Sequence, residues 1–400
     1  MDISKHLERE MHSIDIGQQL MPGRTRGQTR EALAIAEENF DNFYMECAMM
    51  SAIVGTIGND EPRNFKEAWW HTDQIKKRKW RKAIRKKLSD MITRGVWKNV
   101  PLDDVPEGRR LIGSKWVFKE KRDGRFHAQL VCLGYSQVPG VDFSDNFAPV
   151  VNDVTFRVVQ VIRMMLQLDA VLVDVETAFL YGVLNEEIYM KVPEGYKEVY
   201  GELNDTALLL IMALYGLVQA ARKWFQKLSE VLITKMNFMP SQADPCLMYR
   251  NDEDGLCIVL MYVDDNLVIG NETTIQKTVE QLKKEFNVTV KEDTSDYLGC
   301  EVLTSENKRV GWIGQPHLHK NLQHRFGTLT NDMKIPKTPS PPGFHVVRPT
   351  TETSKIDDKT QKLFRSGVGM LLYLVKHSRP DLSNCTRELS KVMDGATTIQ

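Results

Sequence analysis

The stretch "CIVLMYVDDNLVIGN", Cys257 to Asn271, limits what this chain can fold into more than any other. Two apolar, β-rich runs flank a polar tip, which is the pattern of a hairpin with buried arms. The tip carries two adjacent carboxylates, Asp264 and Asp265. A second run, "AVLVDVETAFLYG", ends in a similar way, with Asp174 where strand gives way to turn. Taken singly, each acid reads as a cap or turn residue, and Asp-Asp-Asn is good turn chemistry. Taken together they read differently, because all three close runs of Val, Leu, Ile and Met that must lie centrally in a sheet. Burying three carboxylates there is costly unless a cation neutralises them. An all-oxygen donor set without His or Cys suits Mg²⁺ or Mn²⁺ rather than zinc. Three acids converging on two such ions is the arrangement that phosphoryl transfer uses.

The remaining composition narrows the setting. With 400 residues, 42% of them hydrophobic, the chain can build a real core and is long enough for two or three domains or subdomains. Lys+Arg and Asp+Glu are both 53, so any polyanionic partner must be met by local patches and not by net charge. Cys47, Cys132, Cys246, Cys257, Cys300 and Cys385 are scattered without a CxxC pair, as expected of reduced, mostly buried thiols in an intracellular protein. The charged N-terminus is unlike a signal peptide, and no apolar run approaches a membrane span.

Along the chain, "TREALAIAEENFDNFYMECAMMSAIVG" is an amphipathic candidate within a weakly anchored leader. A basic helix follows, with Trp80, Ala83, Ile84, Leu88, Met91 and Ile92 at near-helical spacing. Lys76, Lys77, Arg78, Lys79, Arg81, Lys82 and Arg85 to Lys87 cover its other faces, either as a solvated surface or as phosphate contacts. "KWVFKEKRDGRFHAQLVCLGY" reads as a hairpin about Arg122-Asp123-Gly124. "VTFRVVQVIRMMLQLDA" reads as a buried helix and "LNEEIYMKVPEGY" as another hairpin. "QAARKWFQKLSEVLITKMNF" and "TTIQKTVEQLKKEFNV" have helical periodicity. "KIPKTPSPPGFHVVRPTTETSK" has linker composition, and after it two helices are expected around a break at Arg379-Pro380-Asp381.

A family resemblance adds to this. "EPRNFKEAW", "IGSKWVFKEKRDG", "GVDFSDNFAPVV", "AVLVDVETAFLYGVLNEEIYMKVPEGY", "ALYGLVQAARKWFQKL", "ADPCLMY", "YVDDNLVIGN", "DYLGCEV" and "LLYLVKHSRPDL" resemble, in order, the motifs of copia-type LTR-retrotransposon reverse transcriptases. The similarity runs from about Glu61 to Met393. It implies an α+β, right-hand polymerase with fingers, palm and thumb, in which an antiparallel palm sheet carries the catalytic acids. The implied divisions are a leader, partly helical or disordered, over 1–60; fingers and palm over 61–303; a thumb-like region over 304–337; a Pro-rich linker over 338–360; and a helical connection over 361–400.

The resemblance also implies roles. Asp174, Asp264 and Asp265 match the catalytic triad that holds two Mg²⁺ or Mn²⁺ ions, with the backbone carbonyl of Val175 as a further ligand. Phe179 matches the aromatic that excludes a 2′-hydroxyl, although its residue type alone fits core packing equally well. The backbone amides of Thr177 and Ala178 would approach the triphosphate, and Gln219 would contact the nucleotide and template base. The implied partners are an RNA or DNA template with its primer and deoxynucleoside triphosphates, without a membrane. The implied setting is the cytoplasm, virus-like particles or the nucleus.

The chain departs from the family pattern where positive charge is usual. His127, Gln129 and Leu133 stand in place of three cations, Val218 replaces a lysine, Ala221 replaces a proline, and Asn152 and Asp153 replace the basic start usual after "APVV". The family continues into an RNase H domain after the Arg-Pro-Asp segment, so the chain is expected to be a piece of a longer polyprotein. Two functions are therefore weighed: an RNA-directed DNA polymerase, and an inactive remnant that keeps the fold and binds nucleic acid through the basic helix. Another metal-dependent phosphodiesterase ranks behind both, since no His or Lys beside the acids suggests a hydrolytic base.

Overall fold

The structure, a computed structural model, describes residues 61–120, 124–294, 297–327, 338–341, 343–347 and 356–396. The leader expected over 1–60 lies outside the described residues. Helix α1 (Phe65–Trp69) leads to α2 (Gln74–Thr93), whose N-cap Asp73 accepts from the Ile75 and Lys76 amides. As the periodicity predicts, Trp80, Ile84, Leu88 and Met91 turn inward. Strands β1 (Trp97–Pro101), β2 (Leu111–Ile112), β3 (Ser114–Glu120) and β4 (Phe126–Cys132) follow. β3 and β4 form the expected hairpin, paired from Ser114↔Cys132 to Glu120↔Phe126. Gly124, left-handed at φ +77°, lies at its tip, and residues 121–123 are outside the described set.

Helix α3 (Asp153–Met165) precedes β5 (Asp169–Val175), β6 (Val183–Lys191), the short α4 (Tyr196–Tyr200) and β7 (Thr206–Met212). The expectation of a buried helix holds for only one side of α3: Phe156, Val159 and Gln160 are buried, while Val154, Val158, Val161 and Met165 are exposed. The hairpin expected in "LNEEIYMKVPEGY" is instead the single strand β6, whose partners, β7 antiparallel and β2 parallel, come from elsewhere in the chain. With β1 they make a four-stranded sheet, β1-β7-β6-β2.

Helix α5 (Ala220–Met236), β8 (Met239–Pro240), β9 (Leu247–Asp252), β10 (Gly255–Tyr262), β11 (Asp265–Gly270), α6 (Glu272–Glu285) and β12 (Val288–Lys291) complete the second half. A six-stranded sheet in the order β12-β5-β11-β10-β9-β8, antiparallel throughout, gives the α+β class expected. One core surrounds this sheet with α5 and α6, and another joins α2, the β3–β4 hairpin and the four-stranded sheet. Phe179 packs against both, so it stands at their seam.

A further hairpin, β13 (Glu301–Thr304) with β14 (Gly311–Gly314), leads into α7 (Pro316–Phe326). Helices α8 (Asp358–His377) and α9 (Ser383–Ser390) flank the expected break at Arg379-Pro380-Asp381. All five described cysteines are free thiols, four of them buried, and burial pushes Cys132 and Cys300 up to about 12. Among the described residues no helix is long and apolar enough to cross a membrane.

Candidate active site

The site is built on the tip of the β10–β11 hairpin. Pairing runs to Tyr262↔Asp265, leaving Val263 and Asp264 as a two-residue turn. Such turns match strand twist by taking positive φ at the first central residue, and Val263 has φ +53°. For a β-branched side chain that conformation is strained, at a cost of order 1–3 kcal/mol. Both turn carbonyls are held: that of Val263 accepts the Trp224 indole N–H, and that of Asp264 accepts the Val175 amide at 2.9 Å and the Asn266 side-chain amide at 3.3 Å.

The same register places Asp265 opposite Asp174. Since the Val175 amide bonds the Asp264 carbonyl, the Asp174–Asp265 position is a non-hydrogen-bonded pair, where side chains come closest. By strand alternation the two acids share a sheet face with Leu172, Leu267, Leu260 and Tyr262. The opposite face is covered by α6, where Thr278 reaches the Cys257 thiol at 3.3 Å and Arg250 at 3.2 Å. Asp174, Asp264 and Asp265 are all half-buried at this edge.

Among the described residues no three Asp, Glu, His or Cys side chains close into a ready-made metal cage. What the backbone sets is a pair of like charges across one strand pair with a third at the turn, and opposed carboxylates destabilise a sheet. The donors are oxygens alone, which fits a hard divalent ion that would relieve this repulsion.

Beyond Asp174, the buried Val175 is followed by Thr177, left-handed at φ +57°, whose hydroxyl donates to the Glu176 carbonyl at 2.6 Å. A 3-10 turn over Ala178–Tyr181 then sets Phe179 against Tyr215, ring centroids 4.3 Å apart. Burial, aided by Asp264 and Asp174, raises the Tyr215 hydroxyl well above its ordinary value and keeps it protonated. Sequence reasoning missed Tyr215, although it lies four residues before Gln219 in the same "LYGLVQ" segment.

Gln219 lies inside the protein. It is 0% exposed, accepts from the Gln137 side-chain amide at 2.9 Å, and donates to the Asp142 carbonyl at 2.8 Å. Gln137 in turn accepts from the Val218 amide at 2.8 Å. Both ends of the Gln219 amide are thus engaged inside the protein, where they tie the loop after β4 to the start of α5. Contact with a nucleotide would first have to break these bonds.

The basic helix divides in the same manner. Arg81 donates to the Trp69 carbonyl at 2.8 Å and lies over the Trp69 and Trp70 rings, so it serves packing. Lys77 lies over Trp70 and Lys79 over Phe126, Lys76 is half-buried, and Arg78 and Lys82 are exposed. On the β3–β4 hairpin, His127 and Gln129 share a face with Lys115 and Lys119 through the pairs Lys119↔His127, Val117↔Gln129 and Lys115↔Val131. That face therefore keeps two cations. Asn152 caps α3, and Asp153 pairs with Lys376 of α8 at 2.6 Å.

A family profile described as reverse transcriptase (RNA-dependent DNA polymerase) matches residues 95–335, and the chain belongs to that family. It is 32% identical over 347 residues to the retrovirus-related Pol polyprotein from transposon TNT 1-94 of Nicotiana tabacum, covering 84% of this chain and 25% of that protein. It is 33% identical over 346 residues to the corresponding polyprotein from transposon RE2 of Arabidopsis thaliana, covering 84% and 22%. Within the family, then, this is a copia-type reverse transcriptase region of a retrotransposon Pol polyprotein. The chain spans about a quarter of the length of these curated relatives. A solved foamy viral protease-reverse transcriptase in complex with double-stranded DNA aligns over 78% of this chain and 43% of that one, at TM-score 0.38 and 10% identity.

Proposed function

We propose that the chain is a working RNA-directed DNA polymerase that adds deoxynucleotides to a primer at the β10–β11 turn. The observation that carries this is the placement of Asp265 opposite Asp174 with Asp264 in the pinned turn beside them. When bound, two Mg²⁺ or Mn²⁺ ions held by these three carboxylates and the Val175 carbonyl would supply charge stabilisation to the attacking and leaving oxygens. The primer 3′ oxygen bonds the α-phosphorus, the bond to pyrophosphate breaks, and the hydroxyl proton is lost to solvent. Phe179, backed by Tyr215, walls the sugar position and favours a deoxyribose, while the Thr177 and Ala178 amides face the triphosphate. Exposed Arg78 and Lys82 offer salt-sensitive contacts to a template backbone.

The second reading, a fold that has outlived its chemistry, is favoured by the hairpin face where His127 and Gln129 stand in place of cations. Primer extension on poly(rA)/oligo(dT), with Mg²⁺ and then Mn²⁺, separates the two. Extension that is lost in Asp264→Asn supports the polymerase. Salt-sensitive binding of the primer-template without extension under either metal supports the remnant.

A further inference from the structure

We infer that Trp224 is the positioning residue of the catalytic turn, holding Val263 in its left-handed conformation so that Asp264 and Asp265 are presented to the metal side of the sheet. This rests on the reading of those acids given above. Trp224 is 1% exposed, and its indole N–H donates to the Val263 carbonyl, the carbonyl that immediately precedes Asp264. A valine at φ +53° has better conformations open to it, so an outside contact must hold it there.

The indole is itself fixed. Phe286 meets it edge-on at 5.3 Å between centroids, and Tyr181 lies at 6.1 Å. Tyr181 and Phe286 meet edge-on at 5.0 Å, and the Tyr181 hydroxyl accepts the Asn287 amide at 2.8 Å. Tyr181 stands two residues after Phe179 in the turn that follows Asp174. One aromatic block therefore sets the height of both acid-bearing segments: the Asp174 segment through Tyr181, and the Asp264–Asp265 turn through Trp224. Trp224 touches no substrate in this scheme and acts through the turn.

The test compares wild type, Trp224→Phe and Trp224→Phe with Val263→Gly. Phenylalanine keeps most of the packing and removes the N–H, and glycine removes the cost of the left-handed turn. Three quantities are read: Mn²⁺ affinity by electron paramagnetic resonance, single-nucleotide kcat and KM, and the thermal unfolding midpoint. The expected result is that Trp224→Phe lowers kcat about tenfold or more with KM little changed, and weakens Mn²⁺ binding. Val263→Gly should restore most of both losses. Wild-type Mn²⁺ affinity and kcat in Trp224→Phe would overturn the inference. So would losses that follow the unfolding midpoint and are not rescued by glycine. If wild type fails to extend primers but Mn²⁺ affinity shows the same loss and rescue, the positioning role stands and the polymerase reading falls. If wild type binds no Mn²⁺, both fall.

Discussion

Asp265 and Asp174 face each other across β11 and β5 at a position with no ladder hydrogen bond between them. Both carboxylates are half-exposed, and like charges directly opposite one another on a sheet cost roughly 0.2–1 kcal/mol. In EDTA, Asp265→Asn is therefore expected to be more stable than wild type by roughly 0.2–1 kcal/mol. Mg²⁺ should raise the unfolding midpoint of wild type and leave the variant nearly unchanged. Urea unfolding with and without metal checks both, and a less stable metal-free variant would show that the carboxylates do not repel.

The β3–β4 hairpin keeps Lys115 and Lys119 on the face that carries His127 and Gln129. A charge-assisted contact to a triphosphate contributes about 1.5–3 kcal/mol. Gln129→Arg is expected to lower KM for deoxynucleotide by about tenfold with kcat little altered. Steady-state extension at varied nucleotide concentration measures this, and an unchanged KM would remove the hairpin face from the nucleotide site.

Lys87 on α2 is only 6% exposed, and burial lowers its pKa to about 8, against a smaller opposing effect of Asp90. The unfolded chain holds this proton up to about pH 10.4, so between pH 8 and that value it binds more protons than the fold does. Stability contributed by this site should accordingly rise with pH across that window. At pH 7, Lys87→Met is expected to stabilise the protein by roughly 1–3 kcal/mol, and its stability should lose that part of the pH dependence. Denaturant unfolding at pH 7 and pH 9.5 tests the sign.

Glu388 is 0% exposed on α9, where Lys391 at 2.6 Å, the Val346 amide at 3.0 Å and Arg387 at 3.1 Å hold its carboxyl down at about 2. Its folded pKa lies below the unfolded one, so its contribution is complete above pH 4.5 and is lost as pH falls toward 2. The segment around Val346 should loosen over that range. Amide exchange at Val346, corrected for the intrinsic pH dependence, should show the loss in wild type, and Glu388→Gln should show it already at pH 7.

The parts of the fold that were legible in sequence are the local ones. The β10–β11 hairpin, α5 and α6 declare themselves through periodicity and turn chemistry within twenty residues. The pairing of β6 with β2 and β7 joins segments far apart in the chain, so "LNEEIYMKVPEGY" offered no sign that its partners lay elsewhere. At the site, the acids were visible because carboxylates in apolar runs are costly. Tyr215 and Trp224 were not, since an aromatic residue in an apolar segment looks the same whether it fills the core or braces a turn. The burial of Gln219 was not legible either, because it depends on Gln137 and the Asp142 carbonyl, a clasp that only the folded chain assembles.

The most direct test of the central claim is single-nucleotide addition to a primer annealed to RNA, timed under Mg²⁺ with wild type, Asp174→Asn, Asp264→Asn and Asp265→Asn. Three carboxylates acting as one site predict addition by wild type and a loss of at least about a thousandfold in every variant, with primer-template affinity retained. Addition by any variant at near the wild-type rate would contradict it.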